Sequence, residues 1–117
     1  MTNVKKGKFG EEIARNFLRS KGYIPLYSNW YCRWGELDLV CKYHDTLVFV
    51  EVKYRTSLNH GAPYDAITNR KKKHLLRTIN YFLLQHKLFD TSYRLDVIGV
   101  VKVPGGVEIN HYESITA

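Results

Sequence analysis

The sequence predicts one α/β domain, a mixed β-sheet flanked by helices in the order α-β-β-β-α-β-β. Three observations carry that prediction. Apolar residues recur at helical spacing in two stretches, and five others are rich in β-branched residues or alternate in polarity. The third strand and the fourth are separated by a helix-containing stretch long enough for a right-handed parallel crossover. At 117 residues the chain has room for a single core, so residues 1–117 are read as one domain.

Phe9, Ile13 and Phe17 recur at four-residue steps, and Ala14 and Leu18 widen that stripe, predicting a helix over 9–21. Gly22 follows Lys21 as its C-terminal stop. On this helix Glu12 falls on the polar side, whereas Glu11 falls at the margin of the apolar stripe. Residues 1–8, with Lys5, Lys6 and Lys8, are expected to form a flexible basic arm. A first strand within 23–30 is weakened by Pro25, which suits an edge. Stronger strands follow over 36–42 and 47–54, joined by a tight connection. A loop at 59–63 precedes the second helix, for which Pro63 and Asp65 are early start signals and Thr68 is an N-cap. That helix carries Leu75, Ile79, Phe82 and Leu83 on one face and stops near His86. Pro104-Gly105-Gly106 turns a strand over 93–103 into a last one over 107–112.

The formal charge of +7 points to a polyanionic partner, nucleic acid before membrane. A basic surface kept for solubility would give the same charge. No apolar run approaches the length of a membrane span, and the N-terminal cations have no apolar segment behind them. Cys32 and Cys41 are too few for a four-ligand zinc site and lack a CxxC spacing, so reduced thiols in a cytoplasmic protein are expected. The five histidines are scattered without an HxxxH pair and read as surface or core residues.

Strand alternation sorts the acidic residues. In 47–54, Glu51 and Lys53 share a face; in 36–42, Glu36, Asp38, Val40 and Lys42 share one. The short connection sets a register in which Asp38 opposes Glu51 and Glu36 opposes Lys53, with Cβ atoms about 4.5–5.5 Å apart. Two opposed carboxylates repel unless a cation sits between them. Mg²⁺ prefers such oxygen ligands, commonly one or two carboxylates plus waters and phosphate oxygens. Lys53 could neutralise the site and help orient or deprotonate an attacking water. The rival reading is a half-exposed hairpin with ordinary ion pairs such as Glu36 to Lys53. Arg70-Lys71-Lys72-Lys73 opens the second helix, where cations oppose the helix dipole and an approaching phosphate would offset the cost. Trp30, Tyr31, Arg33 and Trp34 crowd the approach to the acidic strand; such aromatics stack on unpaired bases, and one of the two tryptophans is expected to pack in the core instead. Asp96 is read as structural, paired with Arg94 or Arg55.

The segments Gly7-Lys8-Phe9-Gly10-Glu11-x-Ile13-Ala14, Gly35-Glu36-Leu37-Asp38-Leu39-Val40, Val48-Phe49-Val50-Glu51-Val52-Lys53-Tyr54-Arg55 and Arg94-Leu95-Asp96-Val97 resemble the YraN-type family. These are small bacterial proteins of the PD-(D/E)xK nuclease superfamily, with a restriction-endonuclease-like fold. The resemblance implies an Mg²⁺- or Mn²⁺-dependent endonuclease acting on DNA, branched or duplex. It implies that Asp38 and Glu51 bind the metal together with the backbone carbonyl of Val52, and that Lys53 is catalytic. Glu11 would match a helix-one acid of the related archaeal Holliday-junction resolvases, which work as homodimers. Lys71 matches the family's helix-two lysine, and Asn29 and Arg33 match positions upstream of the acidic motif. Arg55, Arg70 and Lys72 complete the expected nucleic-acid contacts. Tyr31 stands where arginine is expected. The alternative is a non-catalytic nucleic-acid-binding protein that retains the fold.

Overall fold

A computed structural model describes residues 2–59 and 61–115. Its elements are α1 (Asn3–Ser20), β1 (Ile24–Cys32), β2 (Gly35–Tyr43), β3 (Thr46–Arg55), α2 (Asn69–Gln85), β4 (Tyr93–Val103) and β5 (Gly106–Tyr112). A short 3₁₀ helix, Pro63–Ala66, precedes α2. The predicted order of helices and strands is the observed one. The strands form one sheet in sequential order β1-β2-β3-β4-β5. All neighbours are antiparallel except β3 and β4, which are parallel and joined through α2.

Helix α1 starts six residues before the expected position. Thr2 caps it, its hydroxyl accepting the Lys5 N–H at 3.2 Å. Lys5, Lys6 and Lys8 therefore belong to its first turns, not to an arm. The apolar stripe alone gave no signal there because this extension is exposed and has little to bury. At the other end Gly22, at φ 91°, lets the Tyr23 N–H reach back to the Leu18 carbonyl at 3.0 Å. The buried line of α1 is Gly10, Ala14 and Leu18, while Phe9 is exposed. A Cβ on Gly10 would lie 2.9 Å from the Tyr54 Cβ, so the helix lies close on β3 only because residue 10 has no side chain.

Each face of the sheet buries its own cluster. Ala14 and Leu18 pack with Leu39, Cys41, Val48, Val50, Ile98 and Val100 on the α1 face. Leu75, Ile79 and Phe82 pack with Leu37, Val40, Leu47, Phe49 and Leu95 on the α2 face. Burying each such Leu, Ile or Phe contributes roughly 1.5–3 kcal/mol. In β3 the predicted alternation holds, with Leu47 and Phe49 facing α2 and Val48 and Val50 facing α1. In β2 it does not. Leu37 and Val40, three residues apart, face the same helix. β1 slips in parallel, since Tyr27 and Trp30 both set their rings against Phe82. Between them Asn29 has φ 53°, the left-handed conformation that asparagine tolerates better than most residues. Pro63 and Asp65 start the 3₁₀ turn rather than α2, whose N-cap is Thr68 as expected. Trp30 is the tryptophan that joins the core, against Tyr81, Phe82 and His86.

Candidate metal and nucleic-acid site

The β2–β3 hairpin has the predicted register through five pairs, from Tyr43 with Thr46 to Leu39 with Val50. There the ladder ends. The expected next pairs, Asp38 with Glu51 and Glu36 with Lys53, are not ladder partners. Instead the Asp38 carboxylate accepts the Val52 N–H at 2.9 Å, taking the role that a backbone carbonyl of β2 would have filled. The slip in β2 alternation makes this substitution possible. It opens the sheet locally, and the opening holds the carboxylates.

Glu51 is buried, only 6% exposed, on the α2 side. Lys53 Nζ approaches its Oε1 at 3.4 Å and Lys71 Nζ, from the first turns of α2, at 3.9 Å. Even so its carboxyl is pushed up to about 7, by burial first and then by the neighbouring charge of Asp38, against the two lysines. Burial likewise raises Asp38, although the Val52 N–H and Lys53 hold it down. Glu11 reaches the same region from α1. Burial and the charge of Asp38 raise its pKa, and a hydrogen bond with the Asn29 side chain opposes them. Three acids from three elements therefore share one field. They do not form a compact triad, however. Among the described residues, the cluster whose ligand atoms all lie within 4.8 Å of one another is Asp96, His111 and Glu113.

That second cluster is already saturated. Asp96 is fully buried and accepts from Arg94 Nε at 3.1 and 3.2 Å and from the Ser114 N–H at 3.0 Å, and it lies 2.8 Å from His111 Nε2. Arg94 Nη2 also donates to Glu113, at 2.9 Å, and to the Tyr23 hydroxyl. Burial alone would raise the Asp96 carboxyl; hydrogen bonds from His111, Ser114 and Arg94 overcome it and leave the pKa below its ordinary value. A guanidinium occupies the place a cation would take. Of the two partners expected for Asp96, the structure selects Arg94.

A cleft of about 480 Å³ lies over Glu51, walled by Trp34 and Glu36 on one side and by Arg70, Lys71 and His74 of α2 on the other. Arg33 is exposed, with its guanidinium 4.7 Å from the Trp34 ring centroid. Arg77, which sequence reasoning missed, stacks more closely on the same ring, at 3.7 Å. Helical spacing held the signal, since Arg70, His74 and Arg77 follow one another along one face of a helix. Of the expected contacts Arg70 and Lys71 line the cleft, whereas Arg33, Asn29, Lys72 and Arg55 do not. Lys72 Nζ sits 6.0 Å from the Tyr64 ring centroid, and Arg55 directs Nη1 to the Tyr54 carbonyl while its buried Nε has no partner among the described residues. Tyr31, 70% exposed, does not line the cleft.

The profile of the uncharacterised protein family UPF0102 matches residues 10–100. The chain belongs to that family. A UPF0102 protein of Caldicellulosiruptor saccharolyticus is 44% identical over 100 residues, spanning 86% of this chain and 85% of that one. A UPF0102 protein of Syntrophomonas wolfei is 41% identical over 109 residues, covering 93% and 95% of the two chains. One from Clostridioides difficile is 38% identical over 100 residues, covering 86% and 88%. The UPF0102 match includes Glu11, Asp38, Glu51, Lys53 and Lys71, so the whole acidic and basic constellation lies within it. Among the described residues no helix is long and apolar enough to cross a membrane.

Proposed function

We propose that this protein is a divalent-metal-dependent endonuclease that hydrolyses phosphodiester bonds in DNA, with branched or junction DNA as its preferred form. One observation carries the reading. Asp38 and Glu51 are held together at the point where the β2–β3 ladder ends, with Lys53 and Lys71 against Glu51 and a basic cleft above. Carboxylates whose pKa is raised by burial, with Asp38 raising Glu51 further, are a poor structural pair and a good oxygen donor set. Mg²⁺ or Mn²⁺ fits those donors, held by Asp38 and Glu51 with the Val52 carbonyl as a further oxygen. The cation would neutralise the carboxylates and polarise the scissile phosphate and the attacking water.

The chain's own residues divide the remaining tasks. Lys53, fixed on the same face of β3 as Glu51, keeps a positive charge where negative charge develops on the phosphate. Lys71 brings a second cation from α2 and, with Arg70, receives the substrate backbone. Asn29 holds Glu11 by a hydrogen bond, and Glu11 adds an acid beside Asp38. Cutting both strands of a branched substrate calls for two copies, and a homodimer supplies them. The nine-residue strand β1 at one edge of the sheet carries no charged residue, which suits pairing with a second copy.

The test is cleavage of duplex, flap and four-way-junction DNA with Mg²⁺ or Mn²⁺. Glu51→Ala should abolish product, and Lys53→Ala should slow it by roughly 10²–10³-fold, the usual range for losing a group that stabilises developing negative charge. Cleavage unchanged in both variants would sink the mechanism. Binding without cleavage under either metal, undiminished by Asp38→Ala, would favour a binding protein that keeps the fold.

A further inference from the structure

Trp34 is the part of the cleft that phosphodiester chemistry does not require. It sits in the turn between β1 and β2, 36% exposed, and forms a wall of the same cleft as Glu51. A tryptophan kept at the surface forgoes burial that its partner Trp30 obtains in the core. Two guanidiniums lie over its ring, Arg77 at 3.7 Å and Arg33 at 4.7 Å, and among the described residues neither is in a salt bridge. A stacked guanidinium keeps its N–H groups in its own plane, free for phosphate oxygens or base edges. The assembly thus offers planar surfaces and unspent donors at the Trp34 wall of the cleft, with the two arginines just outside its lining. A cleft of about 480 Å³ suits a single nucleotide better than a stacked base pair.

We infer that Trp34, with Arg77 and Arg33, is a stacking platform that receives one unpaired nucleotide beside the acidic centre. It selects strands with an unpaired base over continuous duplex. The inference rests on the nucleic-acid reading of the cleft and deepens it by naming the feature recognised. An indole or guanidinium plane accepts any base, so the platform recognises unpairedness and not sequence. The phosphate on that nucleotide then faces Arg70 and Lys71 across the cleft.

The experiment measures binding without catalysis. Labelled blunt duplex, the same duplex with a single-stranded overhang, and oligothymidylate are titrated by fluorescence anisotropy in EDTA. The wild-type protein should prefer the overhang to the blunt duplex by about 5- to 150-fold, the worth of stacking one base on an aromatic ring. Trp34→Ala should erase that preference while leaving blunt-duplex affinity within a few-fold, and Trp34→Phe should keep most of it. Arg77→Ala, at an exposed helix position, should weaken it as well and serves if Trp34→Ala fails to fold. A wild-type protein without preference overturns the inference, and so does an unchanged preference in both Trp34→Ala and Arg77→Ala. The outcomes separate the two readings. Overhang preference without cleavage under Mg²⁺ or Mn²⁺ keeps the platform and removes the nuclease; cleavage with an unchanged preference in the variants does the reverse.

Discussion

Two acidic centres lie in this fold, and they are built on opposite principles. Around Asp96 every lone pair has a donor, a guanidinium sits against the carboxylate, and the carboxyl group is more acidic than usual. Around Asp38 and Glu51 a half-buried carboxylate neighbours a buried one, the lysines nearest Glu51 lie at 3.4 and 3.9 Å, and both groups are less acidic than usual. A search by ligand spacing alone would choose the first centre as a metal site. The proposed function takes the second, on its energetics. A completed network has nothing to gain from a cation, whereas two crowded carboxylates do. Closeness of acidic atoms is therefore a weaker guide to function than whether their charge is already balanced.

The contrast breaks first on stability. Asp96→Ala leaves Arg94, His111 and the Ser114 N–H without their acceptor, and should cost about 3–5 kcal/mol in urea unfolding. Glu51→Gln should act in the opposite direction in metal-free buffer near pH 8, raising stability by up to about 3 kcal/mol because it removes a buried charge. Equal losses in the two variants would mean that both centres are structural.

The pH dependence should differ in sign as well. Glu51 titrates near 7 in the folded protein against an ordinary value of 4.5, so the folded state holds the proton more tightly between them. Metal-free stability should fall as pH rises through that window, by up to about 3 kcal/mol for the full shift. Glu11 and Asp38, also raised, push in the same direction. Asp96 is lowered, so its contribution is present above 3.8 and lost as pH falls through its folded value. Unfolding curves from acid to mildly alkaline pH should show both slopes. A profile flat between about 4.5 and 7 would remove the argument from the acidic pair.

Mg²⁺ should restore what alkaline pH takes away. At a hundredfold excess over its dissociation constant the gain is about 2.7 kcal/mol, read as a rise in Tm. It should vanish in Asp38→Asn and Glu51→Gln and persist in Glu113→Gln, which alters the Asp96 centre. The smallest effect concerns Gly10. Gly10→Ala sets a methyl against Tyr54, an overpacking cost of about 1–3 kcal/mol partly offset by about 1 kcal/mol of helix propensity. By lifting α1 it should also weaken the Mg²⁺ response through Glu11, while leaving the His111–Asp96 contact, followed by NMR of the imidazole, unchanged.

Much of this was legible in the chain alone. The order of elements, the Thr68 cap, the Gly22 stop, the parallel crossover and the hairpin register as far as Leu39 with Val50 all follow from local rules. Apolar period, capping chemistry and connection length act over a few residues, so a sequence can state them. The pairing of Lys53 and Lys71 with Glu51 was half legible, one lysine by strand alternation and the other only as part of the basic run that opens α2. What only the tertiary structure decided lies where that local arithmetic fails. The slip between Leu37 and Val40, the left-handed Asn29 and the Asp38 carboxylate on the Val52 N–H depend on neighbours from different elements. So does the stacking of Arg77 on Trp34, two residues 43 positions apart. The sequence alone determined which acids and bases the protein carries and the strands and helices that hold them. The packed fold decided which carboxyl group is held below its ordinary pKa and which are pushed above it, because burial and charge balance are set by the whole surrounding shell.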